Sequence, residues 1–361
     1  DEAGVEVLTD EKSSYTLHTA NGGRMEDLYT NETFWASLLS AYGIANRFTA
    51  NGAPVADKGA IAVSGDYLRN LDETAVRSLF ANRTVLLEGE AVYALTDMGL
   101  GNLIGVSKAD WSHRNSGFQA FEQIVDGNVY AGLEQGRMSA QLFVGSVLNV
   151  EYDGSKAVEE ISEIRGPGKE RVCPGMTVVD GRIFVLPYGR FKDGGNSGLL
   201  NPIRRAAVRG VLARIAEKPP IMATDYSPYV SVHAYDSAAG VTIAIVNASM
   251  DDVSEVELAG TLNGAEPADW FGAADRWTAY SRRHPAGIRP ELELKLAAGV
   301  GSTADRGSLR IKGGFPALSL TVPDAALGSV TKFGMLGTSV HTSLGPADDI
   351  PRAILRQPDG K

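Results

Sequence analysis

The fold is decided by residues 84–106, TVLLEGEAVYALTDMGLGNLIGV. The apolar run from Thr84 to Leu87 predicts a buried strand, and apolar positions at helical spacing predict a helix from Glu90 to Met98. A further strand is predicted from Asn102 to Val106. A strand-to-helix elbow of this kind is where many α/β enzymes hold their nucleophile. Here the elbow carries Glu88-Gly89-Glu90, with neither Ser nor Cys.

The same alternation of strands and helices runs through the first half of the chain. The further predicted elements are the strand Val5–Thr9, a helix with N-cap Asn31, the strand Ala60–Ser64 and a helix with N-cap Asp72. Strands that alternate with helices at this spacing favour parallel pairing. We therefore predict an α/β fold whose first domain is a flavodoxin-like, doubly wound layer.

A helix that closes this first domain begins at Asn201-Pro202, with Asn201 as its N-cap and Pro202 in its first turn. Its apolar stripe predicts one buried face, and its four arginines are predicted to face solvent: Arg204, Arg205, Arg209 and Arg214. Upstream the sequence is β-rich, with a hairpin predicted at Asp180-Gly181, and Pro219-Pro220 ends the helix. The predicted domains are 1–219, α/β with a β-rich extension; 220–344, a smaller all-β sandwich whose strands include Gly334 to Leu336; and 345–361, a tail.

Composition excludes several classes of function. The 361 residues carry a net charge of -10, which argues against nucleic acid as a partner. No apolar run approaches the length that spans a bilayer, so we expect a soluble protein, and the sequence leaves both cytoplasmic and exported locations open. The single cysteine, Cys173, is expected to be a packing residue, and five scattered histidines predict no metal site. No cofactor-binding motif is present, so we expect no cofactor.

The elbow carboxylates Glu88 and Glu90 have two interpretations. Paired carboxylates perform acid/base work in glycosidases, and open α/β sheets bind ligands at the carboxyl ends of their strands. The alternative is structural, because carboxylates in the first turn of a helix accept hydrogen bonds from its free N–H groups.

A second polar cluster, Asp110-Trp111-Ser112-His113-Arg114, is expected in a loop after the strand that ends at Val106. An aromatic ring beside charged groups is typical of a sugar site, so Asp110, Trp111, His113 and Arg114 are candidate ligand-binding residues. The alternative is that this segment packs on the sheet or forms an interface, with Trp111 as its anchor.

The order of these parts resembles the C-terminal half of β-galactosidase-like glycoside hydrolases related to family 42. The stretches that carry the resemblance are 5–19, VEVLTDEKSSYTLHT; 31–44, NETFWASLLSAYGI; 84–106, quoted above; 201–215, NPIRRAAVRGVLARI; and 241–258, VTIAIVNASMDDVSEVEL. In that family a (β/α)8 barrel is followed by a class I amidotransferase-like domain, without the amidotransferase nucleophile, and by a small β-sandwich.

The resemblance implies a function for the chain as part of a larger protein. The family's catalytic glutamates lie on the barrel, and these 361 residues contain none of it, so no catalytic residue is carried over. The chain is then expected to be a non-catalytic assembly or accessory portion, with a catalytic barrel, carbohydrate and further copies of itself as partners. The alternative is a free-standing sugar-binding protein or glycosidase that uses the edge formed by Glu88, Glu90 and Trp111.

Overall fold

The computed structural model describes residues 2–14, 32–51, 59–113, 120–125, 136–139, 146–189, 199–223, 230–237, 240–247, 255–260, 276–280, 291–295, 308–312 and 317–322. Within these ranges five α-helices are found: α1, Phe34–Ala41; α2, Gly65–Arg69; α3, Glu73–Leu79; α4, Gly89–Asp97; and α5, Pro202–Ile215. None of the helices in the described part of the chain is long and apolar enough to cross a membrane.

The chain divides into two compact units. One consists of Asp1–Val5, Leu39–Arg47 and Lys218–Lys361, and the other of Glu6–Leu38 and Phe48–Glu217. We call the second the elbow unit, because it contains the segment from Val85 to Asp97. This division into units does not test the domain bounds predicted from the sequence, which stay a prediction.

The first fifteen strands precede α5 in the chain. They are β1, Glu2–Ala3; β2, Val5–Leu8; β3, Asn46–Thr49; β4, Ile61–Val63; β5, Val85–Glu88; β6, Val106–His113; β7, Phe121–Ile124; β8, Arg137–Ser139; β9, Ser146–Tyr152; β10, Val158–Glu160; β11, Ser162–Arg165; β12, Arg171–Pro174; β13, Thr177–Val179; β14, Ile183–Leu186; and β15, Tyr188–Gly189.

One sheet has seven strands in the order β10-β13-β14-β5-β4-β2-β3, and its strands β10, β13, β14, β5 and β4 lie wholly in the elbow unit. Strands β14, β5, β4 and β2 pair in parallel, whereas β13 and β10 are antiparallel. The parallel pairing predicted from the alternation of elements is therefore confirmed for β2, β4 and β5. The apolar strands form a core with α4, including Val63, Leu87, Val92, Leu95 and Val185.

Two antiparallel sheets add to this unit. One has the order β12-β11-β7-β8, and the other has the order β15-β9-β6. Cys173 lies in β12 and is buried, as expected for a packing residue, and burial raises the pKa of its thiol to about 12. The hairpin predicted at Asp180-Gly181 is confirmed, since both residues have positive φ and join β13 to β14.

The strands after α5 belong to the other unit. They are β16, Met222–Ala223; β17, Val230–Ser237; β18, Gly240–Asn247; β19, Glu255–Ala259; β20, Arg276–Tyr280; β21, Glu291–Lys295; β22, Ser308–Lys312; and β23, Ala317–Val322. Together with β1, they form two antiparallel sheets, β1-β17-β18-β23-β20 and β16-β19-β22-β21.

Two expectations about local structure are corrected. The strand expected from Asn102 to Val106 is wrong: residues Gly101–Ile104 form a 3-10 turn, which Gly105 ends in the left-handed region, and β6 begins only at Val106. Helix α2 and strand β3 were not predicted. The predicted N-cap Asn31 and the predicted strand from Gly334 to Leu336 lie outside the described residues.

The second correction concerns the arginines of α5, which were expected to face solvent. Arg204, Arg205 and Arg209 are instead buried, and only Arg214 keeps a substantial exposed fraction. The helical spacing of apolar residues identified the apolar face of α5. It gave no sign that the arginines on the polar face would be buried against other parts of the protein.

Candidate functional site

The elbow places the side chain of Glu88 between two chain segments. Glu88 is the last residue of β5 and the N-cap of α4. One of its carboxyl oxygens, Oε2, accepts a hydrogen bond from the backbone N–H of Glu90. The other, Oε1, accepts from the N–H of Gly65 at 2.8 Å. Each carboxyl oxygen therefore accepts a hydrogen bond from a backbone N–H group, and the side chain is fully buried.

The parallel sheet explains why these residues meet. Strands β4, β5 and β14 run in one direction, so their carboxyl ends lie at one edge of the sheet. Gly65 follows β4, Glu88 ends β5, and Tyr188-Gly189 follows β14. A Cβ added to Gly189 would lie 3.2 Å from Glu88 Oε2, which shows how closely the backbone of Gly189 approaches the elbow.

Trp111 covers the same elbow, although not from a loop. The expectation of a loop from Asp110 to Arg114 is wrong as far as His113, because these residues lie in β6, which pairs with β9. A Cβ on Gly189 would lie 3.2 Å from Trp111 Cη2, and the rings of Trp111 and Tyr93 have centroids 6.3 Å apart. Trp111 therefore packs against the elbow with part of its surface exposed.

Asp110, from the same predicted cluster, does not join Trp111 at the elbow. Asp110 is exposed, and its carboxylate lies 2.5 Å from the ammonium of Lys108. Successive residues of a strand point to opposite faces, so Asp110 and Trp111 diverge. His113 ends β6, but its side chain is outside the described residues, as is the whole of Arg114.

Burial sets the electrostatics of Glu88. Desolvation raises the pKa of this carboxyl well above its usual value, and the nearby charge of Glu90 raises it further. The hydrogen bonds from Gly65 and Glu90 oppose this shift but are weaker causes. The folded protein therefore binds a proton at Glu88 more readily than the unfolded chain does.

A raised pKa predicts how stability depends on pH. Because Glu88 binds its proton more tightly in the folded state, its contribution to stability is complete below the unfolded value of 4.5 and falls as pH rises through the raised value. As pH rises, we expect the Tm of the wild type to fall relative to the Tm of Glu88→Gln, because Gln does not titrate. Thermal unfolding from about pH 4 to 8 measures this. A difference that grows in favour of the wild type would contradict it.

The chemistry open to this site is restricted. A nucleophilic mechanism needs a hydroxyl, thiol or carboxylate that reaches a substrate, and Glu88 has no surface exposed to solvent. Glu90 and Trp111 remain partly exposed. Within the described ranges, no group of three or more His, Cys, Asp or Glu side chains is placed to hold a metal ion.

Close packing at Gly89 gives a test of the elbow geometry. In Gly89→Ala the new Cβ would lie 2.6 Å from Trp111 Cη2 and 3.2 Å from the carbonyl oxygen of Tyr188. We expect a loss of about 1–3 kcal/mol in the free energy of unfolding, typical of an overpacked site. The matched control is Gly168→Ala, whose Cβ would meet only the carboxylate of exposed Glu170. Equal stability losses in both variants would refute the packing described here.

A second buried polar cluster was not predicted. Glu122 on β7 is fully buried, and its Oε2 accepts hydrogen bonds from Arg204 Nε and Nη2 at 3.0 and 2.8 Å. The same oxygen accepts from the Tyr188 hydroxyl at 2.7 Å, and Oε1 accepts from the Ser162 hydroxyl. Burial, followed by the charge of Glu122, raises the pKa of Tyr188 well above its usual value.

Sequence signals for the missed residues differ in strength. Ser64 ends the predicted strand Ala60–Ser64 and Gly65 follows it, and a Ser N-cap next to Gly could have indicated the start of α2. Nothing local marks Glu122, because its partners on α5 and β15 are 82 and 66 residues away in the chain.

Comparisons with known proteins give structural neighbours only. No protein-family model matches the chain, and no curated protein matches it by sequence. A catalytic mutant of a GH42 β-galactosidase from G. stearothermophilus is similar with a TM-score of 0.46 at 8% identity, covering 89% of this chain and 40% of that one. A cold-adapted β-galactosidase from Rahnella sp. has a TM-score of 0.42 at 14% identity, covering 72% and 37%.

A third structure, the β-galactosidase from the haloarchaeon Halorubrum lacusprofundi, has a TM-score of 0.40 at 15% identity, covering 90% of this chain and 40% of that one. These neighbours are glycoside hydrolases, and the chain spans 37–40% of their lengths. The low TM-scores and identities give the similarity no weight as evidence of activity.

Proposed function

We propose that the chain is a non-catalytic assembly or accessory portion of a multidomain, β-galactosidase-like glycoside hydrolase. The observation that carries the proposal is the burial and hydrogen bonding of the Glu88 side chain. The elbow residue is fully buried, and backbone N–H groups from two segments take both of its oxygens. A carboxylate held in this way stabilises the joint between β5 and α4 and presents no atom to a substrate. The carbohydrate context is the one that the sequence resemblance implies.

The proposal extends to the fold and to the partners. The parallel order of β2, β4, β5 and β14 and the strand-to-helix elbow support an amidotransferase-like, flavodoxin-like domain. The two antiparallel sheets formed by the strands after α5, together with β1, support a β-sandwich. Its partners would be a catalytic (β/α)8 barrel, in the same or a companion chain, and further copies of itself.

The direct test is the intact mass of the native gene product under denaturing conditions, combined with its copurifying chains. We expect either a polypeptide longer by at least a barrel of about 250 residues or a companion chain of that size. A mass that matches the 361 residues, with no companion chain, would contradict the proposal.

A second candidate is sugar binding at the elbow surface. It is favoured by the partly exposed rings of Trp111 and Tyr93, which lie beside the partly exposed Glu90. If it holds, Trp111→Ala abolishes binding of galactosides, measured by calorimetry, whereas Phe48→Ala, at an exposed ring on β3, leaves it intact. Binding that is equal in both variants would eliminate this candidate.

A further inference from the structure

The buried cluster around Glu122 is connected to the elbow through Tyr188. The Tyr188 hydroxyl donates to Glu122, and the next residue, Gly189, lies against Glu88 and Trp111. Tyr188 also contacts the elbow directly, because its carbonyl oxygen would lie 3.2 Å from a Cβ on Gly89. The two-residue strand β15 therefore joins the buried ion pair to the elbow.

Glu122 is an unusual anchor because it draws on three separate elements. Arg204 comes from α5, Tyr188 from β15, and Ser162 from β11. Both members of the ion pair are fully buried, and the Arg204 guanidinium lies 5.1 Å from the centroid of the Tyr188 ring. An arginine that donates two hydrogen bonds to one carboxylate and stacks on a ring has a single well-defined position. That position fixes the phenol of Tyr188 as well.

We propose that the Glu122–Arg204 pair is a latch that holds β15 over the elbow and keeps Glu88 away from solvent. Glu122, Arg204 and Tyr188 are positioning residues in this arrangement. Through Tyr188 they determine where Gly189 lies, and Gly189 closes the elbow beside Glu88 Oε2. Pairing with β9, of Tyr188 with Val147 and of Gly189 with Ser146, also restrains β15, but without the latch this pairing does not keep the elbow closed.

The test is chemical labelling of Glu88 in the native protein. A water-soluble carbodiimide with an amine modifies accessible carboxylates, and peptide mass spectrometry measures labelling of Glu88 relative to exposed Glu73. Tyr188→Phe removes only the hydroxyl that reaches Glu122. We expect its relative labelling rate at Glu88 to rise at least about tenfold, with a similar or larger rise in Glu122→Gln. Acrylamide quenching of the Trp111 emission, isolated by difference from Trp111→Phe, should increase in parallel.

Two controls separate the latch from a general loss of stability. Arg214 lies on the same helix as Arg204, and Arg214→Met removes its partly exposed ion pair with Glu159 on β10. Val76→Ala weakens the core at α3. Labelling of Glu88 should remain at the wild-type rate in both, at temperatures well below their Tm. Unchanged labelling and quenching in Tyr188→Phe would overturn the proposal, and so would an equal rise in the controls. The inference rests on the proposed function, because both require that Glu88 is closed off from solvent. The two can still be told apart: galactosidase activity in the wild-type chain would refute the proposed function without altering the labelling of Glu88.

Discussion

Arg204→Met is expected to reduce the free energy of unfolding of the elbow unit by about 3–5 kcal/mol. The substitution keeps much of the side-chain volume but leaves Glu122 as a buried carboxylate that has lost the guanidinium opposite it. The hydroxyls of Tyr188 and Ser162 still reach Glu122 but carry no charge to balance it. Urea unfolding of the wild type and the variant, followed by circular dichroism, measures the difference.

Arg214→Met is the matched control, since Arg214 lies on the same helix and pairs with Glu159 at 2.7 Å. That pair is about one-third exposed, so we expect it to contribute no more than about 1 kcal/mol. Adding Glu122→Leu to Arg204→Met removes the stranded charge and should recover part of the loss. Equal effects of Arg204→Met and Arg214→Met would mean that the buried pair is not the anchor described here.

Glu88→Ala is expected to cost about 3 kcal/mol in the free energy of unfolding. The variant leaves the buried N–H group of Gly65 and the part-buried N–H group of Glu90 without their acceptor, and a buried group left in this way costs about 1–3 kcal/mol. Hydrogen exchange should also accelerate at these two amides, because Glu88 joins the starts of α2 and α4. Urea unfolding combined with hydrogen exchange of the same variant measures both effects.

Asp72→Ala provides the comparison for Glu88→Ala. Asp72 is also an N-cap carboxylate, and it accepts from the N–H of Ala75 at 2.8 Å, but its bond is exposed to solvent. Water replaces that acceptor when it is removed, so we expect a loss of about 1 kcal/mol. If Glu88→Ala cost no more than Asp72→Ala, the elbow carboxylate would not be the buried joint described here.

Local sequence patterns predicted the elbow well. The apolar run before Glu88 and the helical spacing after it required only neighbouring residues, and both elements were found within one residue of the predicted bounds. The Asp72 and Asn201 caps and the Asp180-Gly181 turn were predicted for the same reason, because each depends on contacts within a few residues.

The surroundings of the elbow could not be predicted in the same way. Trp111 is expected in a loop because it follows the strand predicted to end at Val106, yet pairing with β9, some 40 residues later, makes the segment a strand. The buried arginines of α5 were expected in solvent because charge normally marks the exposed face of a helix. Glu122, which neutralises Arg204, is 82 residues away, so no local pattern could reveal the pair.

We propose that the elbow carboxylate stabilises the fold and performs no chemistry. Hydrolysis of an aryl β-galactoside by the purified chain, as wild type and as Glu88→Gln, tests it most directly. The account predicts that neither protein raises the rate above that of the uncatalysed reaction. Hydrolysis by the wild type that is lost in a folded Glu88→Gln variant would contradict it and would place a catalytic carboxylate at the elbow.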